Sequence, residues 1–222
     1  GGILARRDLP AHYAQMKDHG IDYIDLVAVN LYPFVETISN DDVDIIDALE
    51  NIDIGGPTMI RAAAKNFLNV IVVVDPADYD MVADRVSSNS IDDDFRKKLA
   101  QKAFQHVALY DTAIARYLSD DKEILPDELS FSMLKMQKLR YGENPHQQGA
   151  LYTDDLAQNY GVAGADQIWG KELSFNNIAD SNAAWEVVSD FDEPTVAIIK
   201  HTNPCGLASN ENLTEAYRRA LA

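Results

Sequence analysis

Along the first half of the chain, short apolar runs alternate with stretches whose apolar positions recur every three or four residues. That is the pattern of strand and helix units wound around a mainly parallel sheet. Residues 24–30 and 70–75 read as buried strands, and residues 43–51, 57–66 and 76–87 as helices. Residues 93–118 form a longer predicted helix, because Phe95, Leu99, Ala103, Val107, Tyr110, Ile114 and Leu118 fall at helical spacing. Residues 119–130 are acidic, carry Pro126 and show no period, which predicts an exposed connection and a boundary near residue 131. Beyond it the pattern predicts a strand over 131–139, a loop at Asn144-Pro145, a helix over 179–191 and a short buried strand over 195–200. A last helical face carries Leu213, Ala216, Tyr217, Ala220 and Leu221. The fold class expected is α/β in two domains, 1–131 and 132–222.

Composition narrows the function classes. Hydrophobic residues at 46% and charged residues at 25% are globular proportions, and no apolar stretch is long enough to span a bilayer, so a soluble protein is expected. Thirty-six acidic against 19 basic residues give a formal net charge of −17, which opposes nucleic acid or an anionic membrane as partner. A phosphorylated ligand would need a local cationic pocket. Cys205 is the sole cysteine, which excludes an intrachain disulfide and makes a reducing cytoplasm the expected location. His12, His19, His106, His146 and His201 include no pair four apart on a helix, and Pro204-Cys205 lacks the second cysteine and the His-x-Glu of a zinc deaminase. No metal is expected. The opening Gly1-Gly2-Ile3 and an end inside a helical pattern read as those of an internal piece of a longer chain.

Four segments hold residue types suited to chemistry. In Asp53-Ile54-Gly55-Gly56-Pro57, two glycines precede a proline fit for the first turn of a helix, where free backbone N–H groups can face an anion. Arg61 and Lys65 share a face of that helix; the plainer alternative is a Gly-Gly turn followed by two solvated cations. Asn30-Leu31-Tyr32-Pro33-Phe34 falls at the carboxyl end of a predicted parallel strand, where α/β sheets place ligand contacts, although Tyr32 and Phe34 can equally serve as packing residues. Residues 138–147, with Arg140, Tyr141, Asn144-Pro145 and His146, concentrate cationic and hydrogen-bonding groups suited to a phosphorylated polar ligand, or form an ordinary polar loop. In Ile198-Ile199-Lys200-His201-Thr202-Asn203-Pro204-Cys205-Gly206 an oily strand ends abruptly in an amine and an imidazole before a Pro-Gly turn. Burial there would favour a neutral Lys200 and suit His201 to proton transfer; the alternative is a lysine reaching solvent beside a core histidine.

Taken with Ser174-Phe175-Asn176-Asn177-Ile178-Ala179-Asp180, these ordered motifs resemble the bifunctional family that formylates aminoimidazole carboxamide ribonucleotide and closes its second ring to inosine monophosphate (IMP). The resemblance runs the length of the chain. It implies a methylglyoxal-synthase-like cyclohydrolase domain, incomplete at its N-terminus, followed by the start of a cytidine-deaminase-like formyltransferase domain without zinc chemistry. It implies formyl-tetrahydrofolate as co-substrate, and the ribonucleotide, its formylated form and IMP as ligands. Tyr32, Asp53 and Lys65 match cyclohydrolase active-site positions, with Gly55 and Gly56 at the substrate. Lys200 and His201 match the formyltransferase catalytic pair, and Arg140, Tyr141, His146 and Asn177 match nucleotide-contacting positions. The family also implies a homodimer, further ligands before Gly1, and most of the formyltransferase after Ala222, so that this span alone would be weak or inactive. A non-catalytic nucleotide-binding module is the reading from another class.

Overall fold

In the computed structural model, residues 1–40, 42–119, 125–154 and 161–222 are described. They form two compact units, Gly1–Ser132 and Met133–Ala222. Of the predicted connection, residues 120–124 lie outside the described residues.

In the first unit, α1 (Pro10–Asp18) starts on a proline and buries only Met16, so it carries almost no amphipathic signal and the periodicity does not predict it. Strand β1 (Leu26–Ala28) leads through a turn to the short α2 (Phe34–Ile38). Helix α3 (Ile45–Glu50) begins at Asp44, whose side chain accepts from the Asp47 N–H at 2.8 Å, and α4 (Gly55–Lys65) follows. Strand β2 (Ile71–Val73), α5 (Tyr79–Ser87) and the 25-residue α6 (Asp93–Tyr117) complete the unit. Asp92 caps α6 by accepting from the Phe95 N–H at 2.7 Å.

β1 and β2 pair in parallel, with Leu26 opposite Ile71 and Ala28 opposite Val73. β2 is buried throughout, as its β-branched run predicts, but β1 buries only Val27. The sequence expectation of a buried β1 is corrected: Ile24 and Leu26 alternate with Val27 and face outward. α4 and α6 pack closely because small residues meet there; Ala63, Ala64, Ala100 and Ala103 are all buried, with Ile60, Val107 and the β2 valines around them.

The second unit is built from two antiparallel ribbons and two helices. β3 (Leu134–Lys138) pairs with β4 (Ala150–Thr153), with a register irregularity between Lys135 and Gln137. Helix α7 (Phe175–Ser189) precedes the hairpin of β5 (Thr195–Lys200) and β6 (Asn203–Ser209), and α8 (Leu213–Leu221) follows. α8 packs on both strands of that hairpin and α7 on β5. A Cβ at Gly206 would lie 1.9 Å from the Ala220 carbonyl oxygen, so the absent side chain is what lets α8 approach the ribbon. The expected buried strand over 195–200 is instead half-buried, since a two-stranded ribbon leaves one side of its pleat uncovered. The Pro-Gly turn expected after it is part of β6: the real turn is His201-Thr202, both at positive φ (53° and 62°), and the register shift between Ile198 and Ile199 leaves Cys205 bulged.

Candidate functional sites at strand ends and helix caps

In the first unit, α4 starts two residues earlier than its proline indicates, with Gly55 and Gly56 inside its first turn. Asp53 Oδ1 accepts the Gly56 N–H at 2.7 Å, so one backbone donor that could have faced an anion is already taken by a carboxylate. A Cβ on Gly56 would come within 2.6 Å of Asp53 Oδ2 and 2.7 Å of Leu31 Cδ2, which shows how tightly the turn after β1 abuts the start of α4. At Gly55 the space for a side chain is open. Tyr32, beside Leu31, is 55% exposed and turns to solvent, whereas Phe34 is fully buried edge-on to Tyr110 and Tyr117. The motif thus divides its two aromatic residues between surface and core. Through Leu31, the turn that carries Tyr32 lies against Gly56 and Asp53.

Lys65 is not among them. Gly55 and Lys65 stand at opposite ends of α4, and ten residues of helix separate their Cα atoms by roughly 15 Å. Lys65 lines a separate cleft of about 390 Å³ with Arg6, Asp8, Asn66, Phe67 and Asn69. Asn66 fixes the wall of this cleft by donating to the carbonyls of Ile3 and Ala5 at 2.8 and 3.1 Å. Arg61, on the same helix, lies 5.9 Å over the Phe104 ring and does not join either group.

In the second unit, the residues around the N-terminus of α7 interlock. Ser174 and Asn177 form a capping box, and Ser174 Oγ donates to Asn177 Oδ1 at 2.9 Å. Helix α7 therefore begins four residues before the predicted 179–191, because the cap stabilises a first turn whose two asparagines have poor helix propensity. Arg140 stacks on Tyr141 at 5.0 Å and donates to its hydroxyl at 3.3 Å. Contact with the Ser174 hydroxyl, and then with the Arg140 guanidinium, holds the Tyr141 phenol below its ordinary range. Ser174 has one proton and directs it to Asn177, so the guanidinium is the steadier of the two influences. The Asn144 loop closes on itself through Gln147 Oε1, which accepts from the Asn144 N–H at 2.8 Å, and Asn176 donates to the Glu143 carbonyl at 3.0 Å. His146 is exposed on that loop.

The Lys200-His201 turn is tied to the same helix. Asp180, one turn after Asn177 on α7, accepts the Thr202 N–H at 2.8 Å. Thr202 Oγ1 and Asn203 Nδ2 both donate to the His201 carbonyl at 2.7 Å. Three side chains thereby hold two residues in a left-handed conformation that a β-branched threonine rarely adopts. The burial expected of Lys200 and His201 is absent: both are exposed, because α7 and α8 cover the body of the ribbon and not its tip. Asn177 stands one helical turn before Asp180, the residue that anchors the His201-Thr202 turn, and the backbones of Arg140 and Tyr141 meet the chain at Leu173 and Phe175, where the same helix begins. Asp180 and Thr202 had no role in the sequence reading; a carboxylate on the helix face presented by Asn177 was the available signal.

Among the described residues, no three His, Cys, Asp or Glu side chains converge as a metal site, and no helix is long and apolar enough to cross a membrane. Cys205 Sγ donates to the Ile198 carbonyl at 3.3 Å.

Both units gather polar side chains at strand ends and helix caps, the places where α/β folds commonly hold small polar ligands. Residues 63–222 match the family model described as AICARFT/IMPCHase bienzyme, and residues 3–58 match the MGS-like domain. The chain belongs to the AICARFT/IMPCHase bienzyme family. It is 52% identical over 220 residues to the bifunctional purine biosynthesis protein PurH of Pediococcus pentosaceus, a match covering 99% of this chain and 43% of that protein. The chain thus spans less than half the length of that relative. A solved structure described as the crystal structure of ForH is 38% identical, with a TM-score of 0.47, over 51% of this chain and 59% of that one.

Proposed function

We propose that the chain is part of a longer bifunctional enzyme that carries out formyl transfer and ring closure in the last two steps of IMP synthesis. In the first step the amine of aminoimidazole carboxamide ribonucleotide attacks the formyl carbon of formyl-tetrahydrofolate. A carbon–nitrogen bond forms, the bond to the folate nitrogen breaks, and one proton moves from the amine to the departing nitrogen. His201 takes the amine proton, and Lys200 stabilises the developing negative charge or protonates the folate nitrogen. Arg140, Tyr141, His146 and Asn177 hold the nucleotide. The Asp180–Thr202 hydrogen bond is the observation that carries this assignment, because it ties the His201 turn to the helix whose cap holds the nucleotide-binding group.

In the second step the carboxamide nitrogen attacks the formyl carbon and water leaves. Asp53 has one carboxylate oxygen committed to Gly56 and a second, Oδ2, available to accept a proton. Tyr32, exposed on the turn that abuts Gly56 through Leu31, hydrogen-bonds the reacting carbonyl region, and Gly55, where space is open, and Gly56 face the substrate. Proton transfer and charge stabilisation are assigned to Asp53 and Lys65, which stand toward opposite ends of α4. We further place the enzyme in the cytoplasm as a homodimer, with the second unit opening a cytidine-deaminase-like formyltransferase domain and with no metal in either reaction. The family match favours this reading over a non-catalytic nucleotide-binding module.

The test supplies the complete protein with the ribonucleotide and formyl-tetrahydrofolate and follows the formylated intermediate and IMP separately. Formation of both in sequence is expected. Binding without either product would sink the proposal.

A further inference from the structure

The segment between α3 and α4 carries Asp53 and belongs to neither helix nor sheet; its backbone bonds back to α3 end at the Ile52 N–H, which donates to the Leu49 carbonyl at 3.1 Å. The Asp53 N–H itself is held from 57 residues away. Tyr110, on the buried face of α6 and 8% exposed, accepts the Asp53 N–H at 2.8 Å on its phenolic oxygen and donates to the Asn51 carbonyl at 3.2 Å. One hydroxyl has one proton and free lone pairs, so it can make both bonds at once and clamp the strand of chain between them. The ring of the same residue meets Phe34 edge-on at 6.2 Å, and Phe34 ends the turn that presents Tyr32. The two loops therefore share a single post: the ring supports one, the hydroxyl the other.

We propose that Tyr110 is the positioning residue of the ring-closure site, holding the Asp53 segment and the Tyr32 turn in fixed relation without touching substrate. This rests on the assignment of ring closure to Asp53 and Tyr32. Burial raises the Tyr110 phenol above its ordinary range, in keeping with a hydroxyl that stays protonated and keeps donating. Removing the hydroxyl leaves the Asp53 N–H and the Asn51 carbonyl without their partner, and the segment then keeps only its local bonds to α3 and α4. Small displacements of this kind act on the chemical step more than on binding.

The experiment compares Tyr110→Phe, Asp53→Asn and the double variant in the complete protein. Tyr110→Phe retains the ring and its contact with Phe34. Ring-closure kcat is expected to fall by about tenfold, KM to change by less than about threefold, and formyl transfer to stay unchanged. In the Asp53→Asn background the same change is expected to have almost no further effect, since both substitutions act through one group. Val107→Ala, one turn earlier on α6, truncates the same core without touching the hydroxyl. At an equal loss of thermal midpoint it should leave ring-closure kcat within about twofold.

Three results overturn the proposal in distinguishable ways. If Asp53→Asn disables ring closure while Tyr110→Phe does not, or if the two effects multiply, Tyr110 does not act through Asp53. If Val107→Ala reproduces the loss in kcat, the role is structural only. If Asp53→Asn leaves ring closure intact, the assignment of Asp53 itself fails, and the positioning role fails with it.

Discussion

The two units hold their candidate sites by different means. In the first, Asp53 and Tyr32 sit on loops backed by a dense core, and the groups that fix them, Phe34 and Tyr110, are buried. In the second, almost every strand residue is half-buried or exposed, and the site is held by surface hydrogen bonds: a capping box, a guanidinium stacked on a phenol, and a carboxylate gripping a turn of two left-handed residues. A core-backed site resists single deletions in its periphery but fails when its anchor goes. A surface-braced site depends on each brace, because no packing replaces a lost hydrogen bond.

His201→Ala should give the largest effect and break the comparison cleanly. Loss of a general base costs on the order of 100-fold or more in formyl transfer, while ring closure, in the other unit, should not change. Parallel assays of both steps on the complete protein check it; equal loss in both would mean that the two sites are not independent. Gly206→Ala and Gly56→Ala then test packing at each site. The first places a methyl against the Ala220 backbone oxygen, which cannot move without shifting α8, and overpacking of this kind costs about 1–3 kcal/mol or more. A lowered thermal midpoint with loss of formyl transfer is expected. Gly56→Ala instead crowds Asp53 Oδ2 and a leucine side chain, both able to give, so the fold should survive while ring closure drops by roughly tenfold.

The physical reason for what could be read from sequence lies in the same contrast. The long period of α6 and the β-branched run of β2 are core features, and apolar spacing reveals them directly. Helix α1 buries one residue and β4 buries none fully, so nothing in their pattern separates them from loop. The candidate site residues were legible as clusters of polar types near strand ends, Lys200-His201 and Arg140-Tyr141 above all. Their braces were not: Tyr110 looks like any other core position on α6, and a turn built on His201-Thr202 uses residues that rarely adopt positive φ, so the glycine four positions later drew the turn instead. The distance from Asp53 to Lys65 follows from Gly55 and Gly56 being helical, which a pair of glycines normally argues against.

Asp180→Ala sharpens the account of the second unit. The Thr202 amide loses its acceptor, and a turn already costly in backbone energy loses one of its three supports. Formyl-transfer kcat should drop by about tenfold with the fold intact, and Asp180→Asn, whose side-chain oxygen can still accept, should recover most of it. Equal loss in both variants would show that the charge, not the hydrogen bond, matters.

The smallest effect is expected at the bridge in the first unit, where Lys102 Nζ reaches Asp75 and Asp78 at 2.6 and 2.7 Å. The hydrogen bond from Lys102, aided by the Ala77 N–H, holds the Asp75 carboxyl below its usual range. For Lys102, desolvation opposes the charge, but the bonds to Asp75 and Asp78 outweigh it and leave the ammonium above its usual range. A depressed carboxyl stabilises the fold above its unfolded value of about 4 and loses that contribution as pH falls through the lower folded value. A raised ammonium contributes fully below its unfolded value of about 10.4 and loses the contribution as pH rises through the higher folded one. The bridge should therefore act at near-constant strength across the neutral range and fade at both extremes. The Lys102 and Asp75 side chains are 42% and 40% exposed, so solvent screening limits the pair to at most about 1 kcal/mol. Lys102→Met should lower the thermal midpoint of the first unit by a few degrees near neutrality and by less at acidic pH, with added salt narrowing the difference. A midpoint difference unchanged by acidification and by added salt would mean that Lys102 stabilises the unit by something other than its charge.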